Sequence, residues 1–210
     1  MRRTPVFLIF TIIIFCALLY TPLCAFSGEG GLYPSAPPPG SAFVRFFNGS
    51  NHVPVDVKVR GKSYGMSSFG SISAYAPVPH GEAALSLGAE SGSVQLKEGS
   101  YYTAMLVREN LVILEEPSND NKLKAQIILI NASHTPAIIL KTADGSASVV
   151  DAVDPEKLGG RAVNAVKAPF SVYASTHKIE SLDARVLERG ARYAVIVYDG
   201  TDGKPAVTIN

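Results

Sequence analysis

The segment from Val53 to Arg60 reads Val-Pro-Val-Asp-Val-Lys-Val-Arg and decides the fold class. Its valines alternate with proline or charged residues, and successive side chains of a β-strand point to opposite faces. The segment therefore predicts a strand with one apolar face toward a core and one polar face toward water. This is the pattern of a half-buried strand in an antiparallel sheet.

Similar short β-type runs lie on both sides of this segment, separated by turn residues every eight to twelve positions. That spacing is typical of a β-sandwich. No window shows an apolar period of 3.6 residues over three turns, so we expect little helix. The further strands predicted in the first half are Ala42–Phe47, Ala83–Leu87, Gly92–Leu96, Tyr101–Val107 and Leu111–Leu114.

The second half of the chain repeats the pattern of the first half in the same order. Phe46–Ser50 is matched by Leu129–Ser133, and Leu96–Tyr102 is matched by Leu187–Tyr193. Leu96–Tyr102 and Leu187–Tyr193 each lead into a run of β-forming residues, Ala104–Val107 and Ala194–Tyr198. Two aligned segments in one order predict a duplicated domain.

Two hairpins are predicted in the second half. Ile138–Val150 carries Asp144-Gly145 at its centre, a dipeptide that suits a type I′ turn between antiparallel strands. A last hairpin is predicted around Asp199–Lys204, returning through Ala206–Ile209.

The N-terminus has the layout of a secretory signal peptide. Two arginines follow Met1, and Pro5–Leu19 contains no charge. We place the cleavage after Ala25, and both cysteines, Cys16 and Cys24, would then be removed. The alternatives are a permanent anchor, for which the apolar run is short, and lipidation of Cys24, which lacks a small residue directly before it. Export through a cleaved signal peptide is therefore the expectation.

The predicted mature chain has no thiol, which excludes disulfides, zinc thiolates and cysteine catalysis. Loss of the two arginines of the leader changes the formal net charge from +1 to about −1. Such a chain offers no overall positive field for nucleic acid.

Together these patterns predict an all-β protein with two tandem immunoglobulin-like β-sandwich domains joined by a short linker. The Glu115–Lys122 segment is polar and rich in turn residues, which is typical of a linker. The predicted parts are a signal peptide (1–25), a Pro/Gly-rich arm (26–40), an N-terminal sandwich (41–114), the linker (115–122) and a C-terminal sandwich (123–210).

Sequence signatures of catalysis are absent. No Gly-x-Ser-x-Gly elbow occurs, because Gly65-Met66-Ser67-Ser68-Phe69 departs from it at the last position. The four histidines are isolated, without the spacing of a metal site. We therefore expect a protein that is not an enzyme, with no catalytic residue, cofactor or metal.

Five segments carry a resemblance to known proteins, and they are Leu32–Arg45, Ser100–Thr103, Glu115–Pro117, Leu140–Gly145 with the following valines, and Asn164–Lys167. They resemble the AlgF family of periplasmic alginate O-acetylation proteins, except that Ala165 replaces the family's proline. The resemblance spans essentially the whole predicted mature chain.

This resemblance implies a periplasmic accessory protein that is required for O-acetylation of the exopolysaccharide alginate. Its expected partners are the alginate O-acetyltransferase proteins of the periplasm and inner membrane, and the family supplies no catalytic residues. We interpret the chain as an adaptor that binds these enzymes. The alternative is an alginate-binding module that presents the polymer to them. Candidate partner contacts are Leu32, Tyr33, Arg45, Lys58, Arg60, Lys141 and Asp144.

Overall fold

The structure is a computed structural model and describes residues 36–50 and 52–210. The predicted signal peptide and the candidate contacts Leu32 and Tyr33 lie outside these residues. Within the described residues there is no helix, and hence none long and apolar enough to cross a membrane. The prediction of low helix content is confirmed for this part of the chain.

The first half contains eight strands, which include all of those predicted there. They are β1 (Ser41–Asn48), β2 (Val55–Val59), β3 (Lys62–Ser67), β4 (Ala76–Pro79), β5 (Gly81–Leu87), β6 (Glu90–Leu96), β7 (Tyr101–Val107) and β8 (Asn110–Glu115).

The second half contains eight more, and both predicted hairpins are among them. They are β9 (Lys124–Ala132), β10 (Ile138–Thr142), β11 (Ser148–Val153), β12 (Lys157–Asn164), β13 (Lys167–Ala174), β14 (His177–Val186), β15 (Arg192–Asp199) and β16 (Pro205–Ile209).

The two halves have the same topology. The first forms sheets of order β4-β1-β7-β8 and β3-β2-β5-β6, and the second forms β12-β9-β15-β16 and β11-β10-β13-β14. Adding eight to each strand number of the first half gives the second. In both halves the first strand pairs in parallel with the seventh, β1 with β7 and β9 with β15. The predicted all-β fold of two tandem sandwiches, and the duplication, are confirmed.

A tyrosine closes the same corner in both sandwiches. The Tyr102 hydroxyl accepts the Lys97 N–H at 3.0 Å, and the Tyr193 hydroxyl accepts the Glu188 N–H at the same distance. Tyrosine corners of this kind are a mark of immunoglobulin-like sandwiches. The glycines just before, Gly99 and Gly190, both have a φ near +70°, a conformation that favours glycine in the turn that leads into the tyrosine strand.

The four sheets stack in layers with three apolar clusters between them. Within each sandwich one cluster fills the space between its two sheets. The third cluster lies between the sandwiches, where β1 and β7 of one pack on β9 and β15 of the other. Phe47, Met105, Ile128 and Ile130 are all fully buried there. We call this third layer the junction.

Strand alternation explains how the junction forms. In β1, Val44 and Phe46 face the core of their own sandwich, whereas Phe47 faces the junction. In β9, Ile127 faces its own core and Ile128 faces the junction. Strands buried on both faces cannot alternate between apolar and polar residues, which accounts for their continuous apolar runs.

Two local predictions were wrong in detail, and several strands were missed. Arg60 belongs not to a strand but to the β2–β3 turn, where Arg60 and Gly61 both have positive φ. The β10–β11 connection is longer than a two-residue type I′ turn, because the strands end at Thr142 and begin at Ser148 and only Gly145 has positive φ. Strands β3, β4 and β12 to β14 were not predicted.

Candidate functional site at the domain junction

A group of polar side chains lies inside the otherwise apolar junction. Arg45 of β1 and Thr103 of β7 come from the first sandwich, and Arg192 of β15 comes from the second. Glu116 lies between them, directly after the end of β8. The side chains of Arg45 and Glu116 are fully buried, and that of Arg192 is 7% exposed.

Glu116 connects the two sandwiches through its carboxylate. Oε1 forms an ion pair with Arg45 Nη2 at 2.8 Å, although the angles are not those of a hydrogen bond. The same oxygen accepts the Thr103 hydroxyl at 2.6 Å. Oε2 accepts the Tyr75 hydroxyl at 2.6 Å and Arg192 Nη2 at 3.1 Å. A buried carboxylate is stable only when its charge and lone pairs are satisfied in this way.

Aromatic rings surround these charges. Tyr101 stacks on Phe43, and the Arg192 guanidinium carbon lies 4.2 Å from the Tyr101 ring centre. The Arg45 guanidinium lies over Tyr75 at 4.7 Å, which adds a cation–π attraction. Burial, more than the charges nearby, raises the pKa of Tyr75 well above its usual value of 10, so its hydroxyl stays a hydrogen-bond donor.

Duplication accounts for part of this arrangement. Tyr101 and Arg192 occupy equivalent positions, each directly before the corner tyrosine of its sandwich. The two modules therefore meet through the same face, and their equivalent residues stack on each other.

A cavity of about 730 Å³ opens beside this polar group. Its walls are the turn at Gly99–Tyr101, the 115–122 segment, the Leu158–Gly160 part of β12, Gly190 and Arg192. Gly160 lies under the 115–122 segment, since a Cβ built on it would come within 2.5 Å of Pro117 Cγ. The cavity is of the size that binds small molecules or side chains.

Buried polar atoms without a partner lie near the same place. Asn119 Oδ1 and Gln126 Oε1 are sealed from solvent and have no hydrogen-bond partner among the described residues. Asn119 lines the cavity, and the Gln126 amide lies against Gly160. Each such group costs about 1–3 kcal/mol of stability.

The candidate partner contacts do not converge on one site. Arg45 is not on the surface at all, because it is fully buried in the junction and holds Glu116. Lys58 pairs with Asp56 at 3.0 Å on the exposed face of β2, and Arg60 donates to the His80 carbonyl at 3.0 Å. Both of these are on the first sandwich.

Lys141 and Asp144 lie on the second sandwich, at the β10–β11 connection. Lys141 Nζ lies 4.8 Å from the Tyr173 ring centre. Asp144 accepts the hydroxyls of Thr142 and Ser146 and the Ser146 N–H, which lower its pKa to about 2. These contacts give both residues a local structural role.

His134 meets the carboxylate of Asp199, and the serine next to it in the chain is occupied in a turn. His134 Nδ1 lies 2.6 Å from Asp199 Oδ2, and the His134 side chain is 71% exposed. The neighbouring Ser133 is fully buried and donates to Asn131 Oδ1 at 2.8 Å. Its hydroxyl also accepts the Thr135 N–H, so it serves the turn. Across residues 36–50 and 52–210, no group of three His, Asp or Glu side chains could hold a metal.

Sequence reasoning missed the principal members of the junction. Glu116 was assigned to a polar, turn-rich linker, and Arg192 and Tyr75 were not singled out. The signals that could have found them were the continuous apolar runs of β1, β9 and β15, which indicate strands covered on both faces. A charged residue inside such a run needs a buried partner.

Comparisons with known proteins agree on one family. Residues 16–194 match the family described as "Alginate O-acetyl transferase AlgF". The alginate biosynthesis protein AlgF of Pseudomonas fluorescens is 32% identical, with 93% of this chain and 88% of the relative covered. That of Pseudomonas aeruginosa is 36% identical, with 85% and 82% covered.

Two solved structures are also similar. The C-terminal domain of AlgF from P. aeruginosa is 33% identical, covers 42% of this chain and 97% of its own length, and has a TM-score of 0.38. The N-terminal domain is 30% identical, covers 39% and 100%, and has a TM-score of 0.35. The family match extends over most of the sequence, and the relatives are matched over most of their own length. The chain belongs to the AlgF family.

Proposed function

We propose that this chain takes part in alginate biosynthesis as a non-catalytic adaptor of O-acetylation in the periplasm. In this proposal it binds the acetyltransferase proteins of the periplasm and inner membrane and holds them at a fixed separation. The observation that carries the proposal is the junction, which joins two equal sandwiches through an apolar layer and a shared buried carboxylate. Holding two enzymes together raises their effective concentration for each other.

The chemistry of the described residues supports a role without catalysis. Acetyl transfer needs a nucleophile within hydrogen-bond reach of a base. Beside the pair of His134 and Asp199, the hydroxyl of the adjacent Ser133 is buried and engaged by Asn131, so it is not available as a nucleophile. The family's description as an acetyl transferase fits a component of the acetylation system that works through other subunits.

The aromatic side chains favour the adaptor over the polymer-binding module. Polysaccharide sites on sandwiches use open aromatic faces for stacking. Every tyrosine and phenylalanine in residues 36–50 and 52–210 is buried or only partly exposed, and the whole chain contains no tryptophan. A polyuronate would also need several cations in a row, whereas Lys58 is already paired with Asp56.

Affinity capture from alginate-producing cells tests the proposal. The tagged chain should co-purify with the O-acetyltransferase proteins, and its removal should lower the acetyl content of the polymer. Capture of none of them would contradict the adaptor role. Release of acetate from a model ester by the purified chain, abolished by one serine substitution, would instead make it an enzyme.

A further inference from the structure

We propose that the cavity beside the junction receives an acidic side chain of a partner protein, which binds the free edge of the Arg192 guanidinium. This inference rests on the adaptor function proposed above and names one surface through which it would work. The site is built from both sandwiches, because Tyr101 belongs to the first and Arg192 to the second. It is therefore complete only when the two modules are joined.

The guanidinium of Arg192 is held with one edge unoccupied. Its Nε and Nη2 contact Glu116, and Nη2 also donates to the Pro117 carbonyl at 2.7 Å. Nη1 has no hydrogen-bond partner among the described residues, and it is not sealed from solvent. Arg192 lines the cavity, and in this proposal Nη1 is the nitrogen that a carboxylate in the cavity reaches. A fixed guanidinium loses little freedom when it binds a carboxylate.

The charges around the cavity leave one positive charge without a counterion. Arg45 and Arg192 share the single carboxylate of Glu116. At the rim, Glu115 is paired with Lys97 at 2.7 Å. Asp120 and Lys122 also line the rim, and their charges cancel. A carboxylate that enters would balance the remaining charge, and charge-assisted hydrogen bonds of this kind are among the strongest.

The aromatic ring and the charge at the cavity favour a peptide over a sugar chain. Phe43 stacks on Tyr101 and Arg192 lies over the same ring, so that ring has no open face for a sugar. One uncompensated cation suits one carboxylate, whereas a polyuronate carries a charge on every unit.

Titration of the isotope-labelled full chain by NMR tests the binding directly. The probes are a decapeptide of serine and glycine with one central glutamate, the same peptide with glutamine, and an oligouronate. The glutamate peptide should shift the Gly99, Gly160 and Gly190 amides and the Arg192 Nε signal saturably, with a Kd on the order of 1 mM. Equal effects of the glutamine peptide, saturation by the oligouronate alone, or no saturable shift would overturn the inference.

Variants connect the cavity to partner capture. Ser118→Trp places a large side chain at the cavity from the exposed position 118 and leaves Glu116 in place, and Lys122→Glu reverses a charge of the cavity lining. Ser181→Trp on the exposed strand β14 and Lys204→Glu, 82% exposed, are the matched controls. Unchanged urea midpoints show that the variants fold.

The two cavity variants should lose at least tenfold in capture of the acetyltransferase proteins, and the controls should lose nothing. Capture by both cavity variants at the level of the unmodified chain would overturn this inference and leave the adaptor function standing. Capture of nothing by the unmodified chain would instead contradict the adaptor function, and the peptide titration would still decide whether the cavity binds a carboxylate.

Discussion

Replacement of Glu116 by glutamine is the sharpest test of the junction. The carboxylate accepts the hydroxyls of Tyr75 and Thr103 at 2.6 Å and compensates Arg45 and Arg192 at 2.8 and 3.1 Å. Glutamine has nearly the same shape as glutamate but carries no charge. Its NH₂ group would replace one oxygen and would face groups that also donate, such as the hydroxyls of Tyr75 and Thr103. Both guanidinium groups then stay buried without a counterion.

Loss of one partner of a buried ion pair costs about 3–5 kcal/mol, and no screening discount applies because Arg45 and Glu116 are fully buried. With a typical denaturant slope, the urea midpoint should fall by roughly 2 M. Circular dichroism with urea titration measures this change. Amide exchange of β9 should also rise, because Ile128 and Ile130 pack in the same layer.

The adjacent Glu115 provides a matched control. Its side chain is 41% exposed and pairs with Lys97, whose side chain is 65% exposed. A surface pair of this kind contributes about 0–1 kcal/mol, so Glu115→Gln should change stability little. If Glu116→Gln cost no more than Glu115→Gln, the claim that this carboxylate holds the sandwiches together would be refuted.

Three further changes test other parts of the structure. Gly160→Ala should destabilise the chain by about 1–3 kcal/mol, because its Cβ would come within 2.5 Å of Pro117, whereas Gly92→Ala meets only ordinary contacts at 3.6 Å and should be neutral in the same urea titration. Asn131→Asp should lower the free energy of unfolding by about 3 kcal/mol, because the Asn131 amide donates to two backbone carbonyls at 2.8 and 2.9 Å. Asn121→Asp should leave the urea midpoint unchanged, because only the side-chain oxygen of Asn121 accepts a hydrogen bond. Equal urea midpoints of the two variants would contradict the role given to the Asn131 amide. Asp144→Asn should lower the urea midpoint at neutral pH, since hydrogen bonds to the Asp144 carboxylate hold its pKa at about 2 against an ordinary 3.8. This stabilisation is present above pH 3.8 and is lost as the pH falls toward 2, so the midpoints of the variant and the unmodified chain should converge near pH 2. A difference between the two midpoints that does not depend on pH would refute the explanation.

The half-exposed strands could be predicted from sequence because one periodicity decides them. Val55, Val57 and Val59 are buried in β2 and Asp56 and Lys58 are not, as the alternation indicates. The duplication could also be predicted, because the corner tyrosine and its preceding glycine recur at fixed spacing. Strands such as β3 and β14 could not, because they are mostly exposed and carry no strong apolar pattern.

The junction could not be predicted because it depends on pairings between the two halves. The apolar run around Arg45 indicates that its strand is covered on both faces, but it does not show what covers it. The burial of Arg45 follows from the second sandwich packing on its face of the strand and from Glu116, which is far away in the chain. The Glu115-Glu116-Pro117 sequence places an exposed and a buried carboxylate side by side, and only the packing distinguishes them.

The parallel pairing of β1 with β7 has a consequence for how the chain acquires its structure. Arg45 and Thr103 are neighbours across that pair although 58 residues separate them. Contacts this distant in sequence make folding slow, on a scale of milliseconds to seconds. Each module therefore closes only when nearly all of its residues are available, and a first module that closes alone presents Phe47 and Met105 to solvent until the second has closed. Exposed apolar surface of this kind favours aggregation, so the time that the second half needs to fold sets how long the chain is at risk.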